Sequence, residues 1–416
     1  MQQKKRSPLI LMALTILIDF TGFGLIIPLL PFWAQHLGAN PIGVGAIVTA
    51  YALAQFIFTP VLGGLSDRYG RRPVIIISLL IETLSFGLTA LSGSLPMLLL
   101  ARFVGGLGAS NIGSAQAVVA DVTPAKERAK GMGLIGAAIG MGFVIGPAMG
   151  GILSPLGPAV PFWTAAGIAL LNALLVFFFL PETRTQKLPL TAEEAGETHS
   201  MNRLNVLWTG WQRAIQLPIV LRLILVNLLF TIAFTAMETI FPLFSQQKFG
   251  WGSTQNAYLF TYVGFVVVLM QGGLVGRLVK RWNEQKVMFG GLLLLAVGLI
   301  MLAFSNYLAL VLISVGLLSI GDGAISPTIS TLLSFASPAE TQGELLGLAQ
   351  GVAGLGRIIG PLIAGGVDTY SSAGIPLLIG GLLVLLATLV VFPILSRIQS
   401  PHDRKGSTIL EAGRSQ

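Results

Sequence analysis

Apolar residues run in long blocks separated by short clusters of charge, and this blocking dominates the chain. A helix crossing about 30 Å of hydrocarbon needs about 20 mostly apolar residues. Twelve stretches meet that length: 9–35, 43–66, 73–92, 95–119, 130–152 and 159–181, then 218–246, 254–278, 286–305, 308–334, 342–366 and 374–397. Hydrocarbon offers no partner for a free peptide group, so each stretch reads as a helix that satisfies its own backbone. The pattern predicts an all-α polytopic membrane protein with twelve transmembrane helices in two six-helix bundles. Its expected parts are an N-terminal bundle over 1–181, a cytoplasmic linker over 182–217, a second bundle over 218–399 and a polar cytoplasmic tail over 400–416. In the linker, Leu204, Leu207, Trp208, Trp211 and Ile215 recur at helical spacing. A short helix lying in the membrane interface fits that recurrence, and an ordinary structured linker fits it as well. The first span follows Lys4, Lys5 and Arg6, as a signal peptide would, but its length and the runs behind it predict retention as a helix.

Composition agrees and excludes alternatives. Of 416 residues, 54% are hydrophobic and only 10% charged, whereas soluble domains carry roughly 25% charge. A soluble globule, a disordered chain and a nucleic-acid binder are all poor readings. The net charge of +8 forms no single patch. With the N-terminus placed inside, 22 of the 25 basic residues fall on the cytoplasmic tails, even-numbered connections and flanking helix ends, including Arg68, Arg71, Arg72, Lys126, Arg128, Arg184, Arg203, Arg277 and Lys280. That bias is the positive-inside rule, and it predicts that both termini are cytoplasmic. The absence of cysteine excludes disulfides and thiolate metal sites.

The two halves echo one another. Gly146-Pro147 in span five returns as Gly360-Pro361 in span eleven, and Pro124-Ala125 returns as Pro338-Ala339 at the same offset of 214. Gly63-Gly64-Leu65 returns as Gly272-Gly273-Leu274. Duplications of this kind are common among alternating-access transporters.

Chemistry inside the spans is sparse and therefore informative. Asp19, Glu82, Glu238 and Asp322 lie deep within predicted helices. Inserting such a group costs a few kcal/mol even on the lower scales, about 2.5–3.5 for a central Asp. These residues are read either as proton carriers facing a watery cavity or as protonated partners in helix–helix hydrogen bonds. Arg102 and Arg357 must likewise be paired, hydrated or snorkelling, and Arg357 can pair with a cavity carboxylate or meet an anionic substrate group. Three stripes at helical spacing are candidate walls of a drug-sized pocket: Tyr51, Gln55 and Phe58; Phe230, Phe234, Met237 and Phe241; Tyr258, Tyr262 and Phe265. Lipid-facing or packing aromatics produce the same periodicity. In the 2–3 loop, Asp67 can accept from a helix N-terminus, and Arg71 or Arg72 can pair with Asp121, forming a latch that holds one side closed. In span five, the glycines Gly133, Gly142, Gly146, Gly150 and Gly151 permit close packing against the opposing half and Pro147 removes a helix hydrogen bond.

Several of these segments together resemble the major facilitator superfamily, in particular its drug:proton antiporter branch. The loop Gly63-Gly64-Leu65-Ser66-Asp67-Arg68-Tyr69-Gly70-Arg71-Arg72 is similar to the superfamily's signature loop, Arg102-Phe103-Val104-Gly105-Gly106 to a second signature, and the span-five glycines with Gly146-Pro147 to the antiporter signature. The run from Asp19 to Pro31 resembles bacterial tetracycline exporters, while Met237-Glu238-Thr239 and Gly321-Asp322-Gly323 resemble quinolone and multidrug exporters. The chain departs from the tetracycline pattern in having no acidic residue in span nine and no histidine in span eight.

The resemblance implies a major-facilitator-type fold, proton coupling through Asp19, Glu238, Asp322 and Arg102, and gating through Asp67, Arg68, Gly70, Arg71, Arg72, Asp121, Gly142, Gly146 and Pro147. The expected function is export of lipophilic cationic or zwitterionic drugs coupled to proton influx. Proton-coupled or facilitative uptake of a sugar or other metabolite is the alternative. No enzymatic activity, cofactor, metal or nucleic acid is expected, and no phosphate-binding G-x-x-x-x-G-K-[ST] motif is present. Expected partners are a small-molecule substrate, protons and the lipid bilayer, with a functional monomer in a bacterial cytoplasmic membrane.

Overall fold

The computed structural model describes residues 3–123, 127–183, 210–338, 341–372 and 374–394. Among them the secondary structure is helical throughout, with no strand. The elements are α1 (Gln3–Ile26), α2 (Leu30–His36), α3 (Pro41–Tyr69), α4 (Arg71–Leu91), α5 (Leu95–Gly108), α6 (Ile112–Val122), α7 (Arg128–Leu153) and α8 (Val160–Phe179). A short helix α9 over 210–216 follows, then α10 (Pro218–Phe249), α11 (Ser253–Leu269), α12 (Val275–Ala303), α13 (Leu308–Ala336), α14 (Gln342–Tyr370) and α15 (Gly374–Val391). The start of the expected linker helix, Leu204, Leu207 and Trp208, and the 400–416 tail lie outside the described residues.

Eleven helical stretches are long and apolar enough to cross a membrane. One of them, Ser253–Ala303, has 51 residues, more than twice the length of a single span. Its backbone leaves helical geometry at Gly273 (φ 153°) and Asn283 (φ 68°). The stretch therefore supplies two span-length segments, and the sequence count of twelve is recovered.

Two expected spans are subdivided. The 9–35 stretch breaks between α1 and α2 around Pro28, whose missing N–H and ring obstruct a continuous helix. The 95–119 stretch tightens into a 3₁₀ turn over Ala109–Asn111 between α5 and α6. There the Gln55 amide donates to the Ala109 carbonyl (3.3 Å) and the Ser110 hydroxyl to the Gln55 carbonyl (3.3 Å), tying the break to α3. Start signals are conventional at α3, where the Asn40 side chain accepts from Gly43 N (2.8 Å) and Pro41 opens the helix.

The chain divides into two compact units. The first comprises Met1–Pro189, Thr235–Val268 and Arg357–Pro376, and the second Leu190–Phe234, Leu269–Gly356 and Leu377–Gln416. In the first, α1 lies against α7 and α8, and Met12, Ile16, Leu79, Val118, Ile135 and Val176 form an apolar core. In the second, α12 and α13 approach through glycine: a Cβ at Gly298 would meet Leu318 N at 2.8 Å, and one at Gly321 would meet the Gly291 carbonyl at 2.6 Å. Without a hydrophobic force between helices in lipid, small residues at such crossings gain contact by closeness. Large apolar side chains such as Leu84, Leu171, Phe178, Phe179 and Leu389 point outward and are exposed. An outer surface of that kind suits hydrocarbon.

Candidate functional site

Four helices of the first unit bring charge together. Asp19 of α1 and Glu82 of α4 lie within electrostatic reach of one another. Arg102 of α5 acts electrostatically on Glu82, and its guanidinium carbon lies 4.3 Å from the ring centroid of Tyr51 on α3. Glu82 and Arg102 are 5% and 4% exposed, so neither charge is left to bulk water. The approach depends on the glycines of α5. A Cβ at Gly108 would come within 2.6 Å of Glu82 Cγ, and one at Gly105 within 2.5 Å of Ser85 Oγ. At Gly106 it would collide with the Tyr51 carbonyl. The signature Arg102-Phe103-Val104-Gly105-Gly106 thus supplies both the cation and the room to place it.

Glu238 of α10 and Arg357 of α14 also belong to the first unit, and Arg357 interacts electrostatically with Glu238 and with Tyr51. Tyr51 in turn is within electrostatic reach of Asp19, Glu82, Arg102 and Arg357. It was expected as a wall of the pocket, and it stands among the charged groups. Asp322 belongs to the second unit, on α13 beside the Gly321 crossing, and is half-buried.

The aromatic stripes divide. Phe241 is 1% exposed, with its ring packed on Phe244, Trp251 and Phe260 at 6.2–6.5 Å, and Met237 is 5% exposed. Both of these substrate candidates are packed among side chains in this structure. Phe230 is also buried and faces Phe234 at 6.0 Å in the second unit. Gln55 commits its amide to the α5–α6 break, and Phe58 meets Phe103 edge-on at 6.3 Å. Tyr258 is exposed and lies against Gly151, while Tyr262 is half-buried. A different aromatic group adjoins the charges: Phe23 stacks on Tyr51 at 5.3 Å, meets Phe143 at 6.1 Å, and Phe143 meets Phe20 at 5.6 Å. Sequence reading missed Phe20, Phe23 and Phe143, although the first two flank the membrane aspartate at one and four residues' distance.

At the α3–α4 turn, Arg71 bonds Asp67 (2.8 Å) and Asp121 (3.3 Å). Arg68 lies over the Tyr69 ring at 5.3 Å, and Arg72 lies over Phe177 and donates to its carbonyl. The N-terminus of α4 is capped by a residue that sequence reading passed over: Glu182 accepts from Arg71 N (3.0 Å) and Arg72 N (3.2 Å). Gly70 between the helices has φ 106°, a conformation that favours glycine, and a Cβ there would press on the Glu182 carboxylate.

The span-five glycines divide between two neighbours. Gly142, Gly146 and Pro147 do not face the opposing half; they pack against Phe20, Thr21, Gly24 and Leu25 of α1. Spacing of four puts Gly142 and Gly146 on one helical face. The other face of α7 meets α11, where the Phe143 carbonyl lies 2.5 Å from a Cβ placed on Gly264, and Gly151 adjoins Tyr258. α7 is therefore seated directly behind the segment that carries Asp19. Among the described residues, no His, Cys, Asp or Glu group could hold a metal ion.

Membrane-length helices around a buried set of paired charges define a multi-pass membrane protein with a polar interior site. The sequence model described as "Major Facilitator Superfamily" matches residues 12–286 and 272–414, and the chain belongs to that family. It is similar to "Tetracycline resistance protein, class B" of Escherichia coli, 32% identical over 366 residues that cover 85% of this chain and 87% of the relative. It is also similar to "Multidrug resistance protein 2" of Bacillus subtilis (strain 168), 31% identical over 87% of this chain and 89% of that one. Among solved structures, the human organic anion transporter MFSD10 (TETRAN) aligns with TM-score 0.69 and 25% identity, covering 93% of this chain and 99% of that chain.

Proposed function

We propose that this protein is a secondary active exporter of lipophilic cationic or zwitterionic drugs, driven by proton influx through alternating access. The observation that carries the reading is the cluster of Asp19, Glu82 and Arg102 within the membrane helices, with Glu82 and Arg102 buried where only protonation or pairing can stabilise them. Family membership and similarity to tetracycline and multidrug resistance proteins support export over uptake. In this reading the protein acts as a monomer in a bacterial cytoplasmic membrane with both termini inside, and it is a transporter rather than an enzyme. Its two halves, 1–181 and 218–399, rock about a central site. Asp19, Glu238 and Asp322 exchange protons, Arg102 and Arg357 answer the charge they leave, and the Asp67–Arg71–Asp121 network latches the cytoplasmic side when the site opens outward.

The test is flux in liposomes holding purified protein, under an imposed pH gradient, with cationic dyes, fluoroquinolones, tetracycline and sugars as cargo. Drug-driven proton movement is expected, and it should be lost in Asp322→Asn and Glu238→Gln with normal insertion. Sugar flux without a response to any drug reverses the reading in favour of uptake.

A further inference from the structure

The turn between α3 and α4 has a counterpart in the second unit. Asp67-Arg68-Tyr69-Gly70-Arg71 is answered 213 positions on by Lys280-Arg281-Trp282-Asn283-Glu284. The backbone repeats: Gly70 has φ 106° and ψ 158°, and Asn283 has φ 68° and ψ 158°. The cation–aromatic step repeats too, with Arg68 5.3 Å from the centre of the Tyr69 ring and Arg281 5.6 Å from that of Trp282. What differs is the order of the charges that bracket the joint. An acid stands four residues before a base in the first copy, and a base four residues before an acid in the second.

The two copies are also in different states. Arg71 is bonded to Asp67 at 2.8 Å. Glu284 is 6% exposed, and its Oε2 is buried without a hydrogen-bond partner. Lys280 is exposed and, among the described residues, makes no ion pair. A carboxylate in Glu284's position has lost water without gaining a partner, and a nearby cation would offset that loss. The other cations of the turn are placed less well. Arg281 lies over Trp282, Arg277 is seven positions away, and Lys286, two positions on, falls on a different helical face.

The second copy is built to move where the first is not. α3 runs as one helix into Gly70. In the second unit the Gly-Gly-Leu echo stands four residues further from the joint, about one helical turn, and the helix breaks there at Gly273 (φ 153°). The segment 274–282 therefore lies between two non-helical joints. A Cβ at Gly272, Gly273 or Gly276 would meet nothing within 4 Å, so no close packing holds that side of it. Asn283 carries a φ and ψ that essentially only glycine adopts without strain, and strain of this kind is found at switches.

We propose that the 274–282 segment is a second latch, inverted in charge, which pivots about Gly273 and Asn283 to bring Lys280 onto Glu284. The latch is open in the conformation described and closed in the alternate one, so the two units latch in turn rather than together. Closure gives the buried carboxylate its partner and releases the strain at Asn283. The inference rests on the alternating-access reading above and adds a moving part to it.

Fluorine NMR of the full-length protein, labelled with fluorotryptophan and held in lipid nanodiscs, follows Trp282 within the segment, its signal assigned by Trp282→Phe. Wild type is expected to show two states of Trp282. Lys280→Gln and Glu284→Gln should each lower the closed population about fivefold, the upper end of what an accessible ion pair supplies. Asn283→Gly should lower it as well, because glycine holds the open joint without strain. Lys280→Glu combined with Glu284→Lys should restore it, and salt at about 1 M should bring wild type down to the level of Lys280→Gln. Arg277→Gln and Lys286→Gln should leave the ratio unchanged. Lys280 is exposed, so its variant tests the latch even where a change at buried Glu284 prevents folding. A Trp282 signal that is the same in wild type and Lys280→Gln overturns the latch and leaves export standing. So does an equal loss in Arg277→Gln. Liposomes report export separately: a wild type that moves no drug, while Trp282 switches as described, overturns the export reading and supports the latch.

Discussion

The first unit is joined at its two ends by different physics. At one end α3 meets α14 with backbone against backbone. The Gly45 position faces the Pro361 carbonyl, the Gly365 position faces the Pro41 carbonyl, and Thr49 donates to the Ile358 carbonyl (2.9 Å). At the other end the α3–α4 turn is surrounded by charge: Asp67, Arg71 and Asp121 in a chain, with Glu182 across the start of α4. The first contact is short-ranged and has no screening to lose. The second is partly exposed, with Asp67 at 54% and Asp121 at 33% side-chain exposure, and its strength depends on the solution. In the proposed topology the glycine contact lies outside and the charged turn inside, so sterics govern one gate and electrostatics the other.

The largest effect is expected where a side chain has nowhere to go. Gly365→Val places branched carbons against the Pro41 carbonyl, whereas at the neighbouring Gly366 an added Cβ meets nothing within 4 Å. Overpacking costs about 1–3 kcal/mol, against about 0.5 kcal/mol or less for a change that touches nothing. Thermal unfolding in detergent should show a lowered midpoint for Gly365→Val alone, with efflux lost in that variant and near wild type in Gly366→Val. Equal behaviour of the two neighbours would remove the steric account of this end.

A smaller effect is expected at the charged end from Glu182→Gln. The carboxylate accepts two backbone N–H groups at a helix N-terminus, where negative charge is favoured. The amide keeps one acceptor oxygen and turns an NH₂ toward the other donor. Loss of a cap of this type costs about 1 kcal/mol. Limited proteolysis of the α3–α4 turn and the unfolding midpoint measure it, and Glu182→Asp should restore part of the loss. A Glu182→Gln protein as resistant as wild type would show that the cap holds nothing in place.

Glu182 also marks the limit of what could be read beforehand. The spans were legible because lipid demands about 20 apolar residues in a row, and Asp19 and Arg102 stood out because charge is rare within such runs. Glu182 sits one residue past Pro181 at the mouth of a polar linker, where a glutamate carries no signal of its own. Only the folded chain brings it 111 positions back to Arg71. Phe20, Phe23 and Phe143 were hidden for a related reason, since aromatics toward lipid, core or ligand share one periodicity. The faces of α7 were legible in spacing but not in direction: Gly142 and Gly146 stand four apart, yet nothing in that interval says whether α1 or α11 lies opposite. Pro28 was visible, but its effect depends on whether neighbours can accommodate a bend, and the α1–α2 break shows the outcome.

The smallest effect separates the two ends most cleanly, because it can be turned off by solution conditions. Asp121→Asn removes one partly exposed partner of Arg71 and leaves Asp67 in place. Such pairs are worth about 0–1 kcal/mol, so the unfolding midpoint should fall slightly at low ionic strength. In 1 M salt the screening length contracts to about 3 Å, and the variant should become indistinguishable from wild type. Gly365→Val should keep its full deficit in the same buffer, since a clash between carbon and a carbonyl oxygen is not screened. If Asp121→Asn loses as much at high salt as at low, its contribution is packing rather than charge, and the electrostatic account of this end fails while the steric account of the other stands.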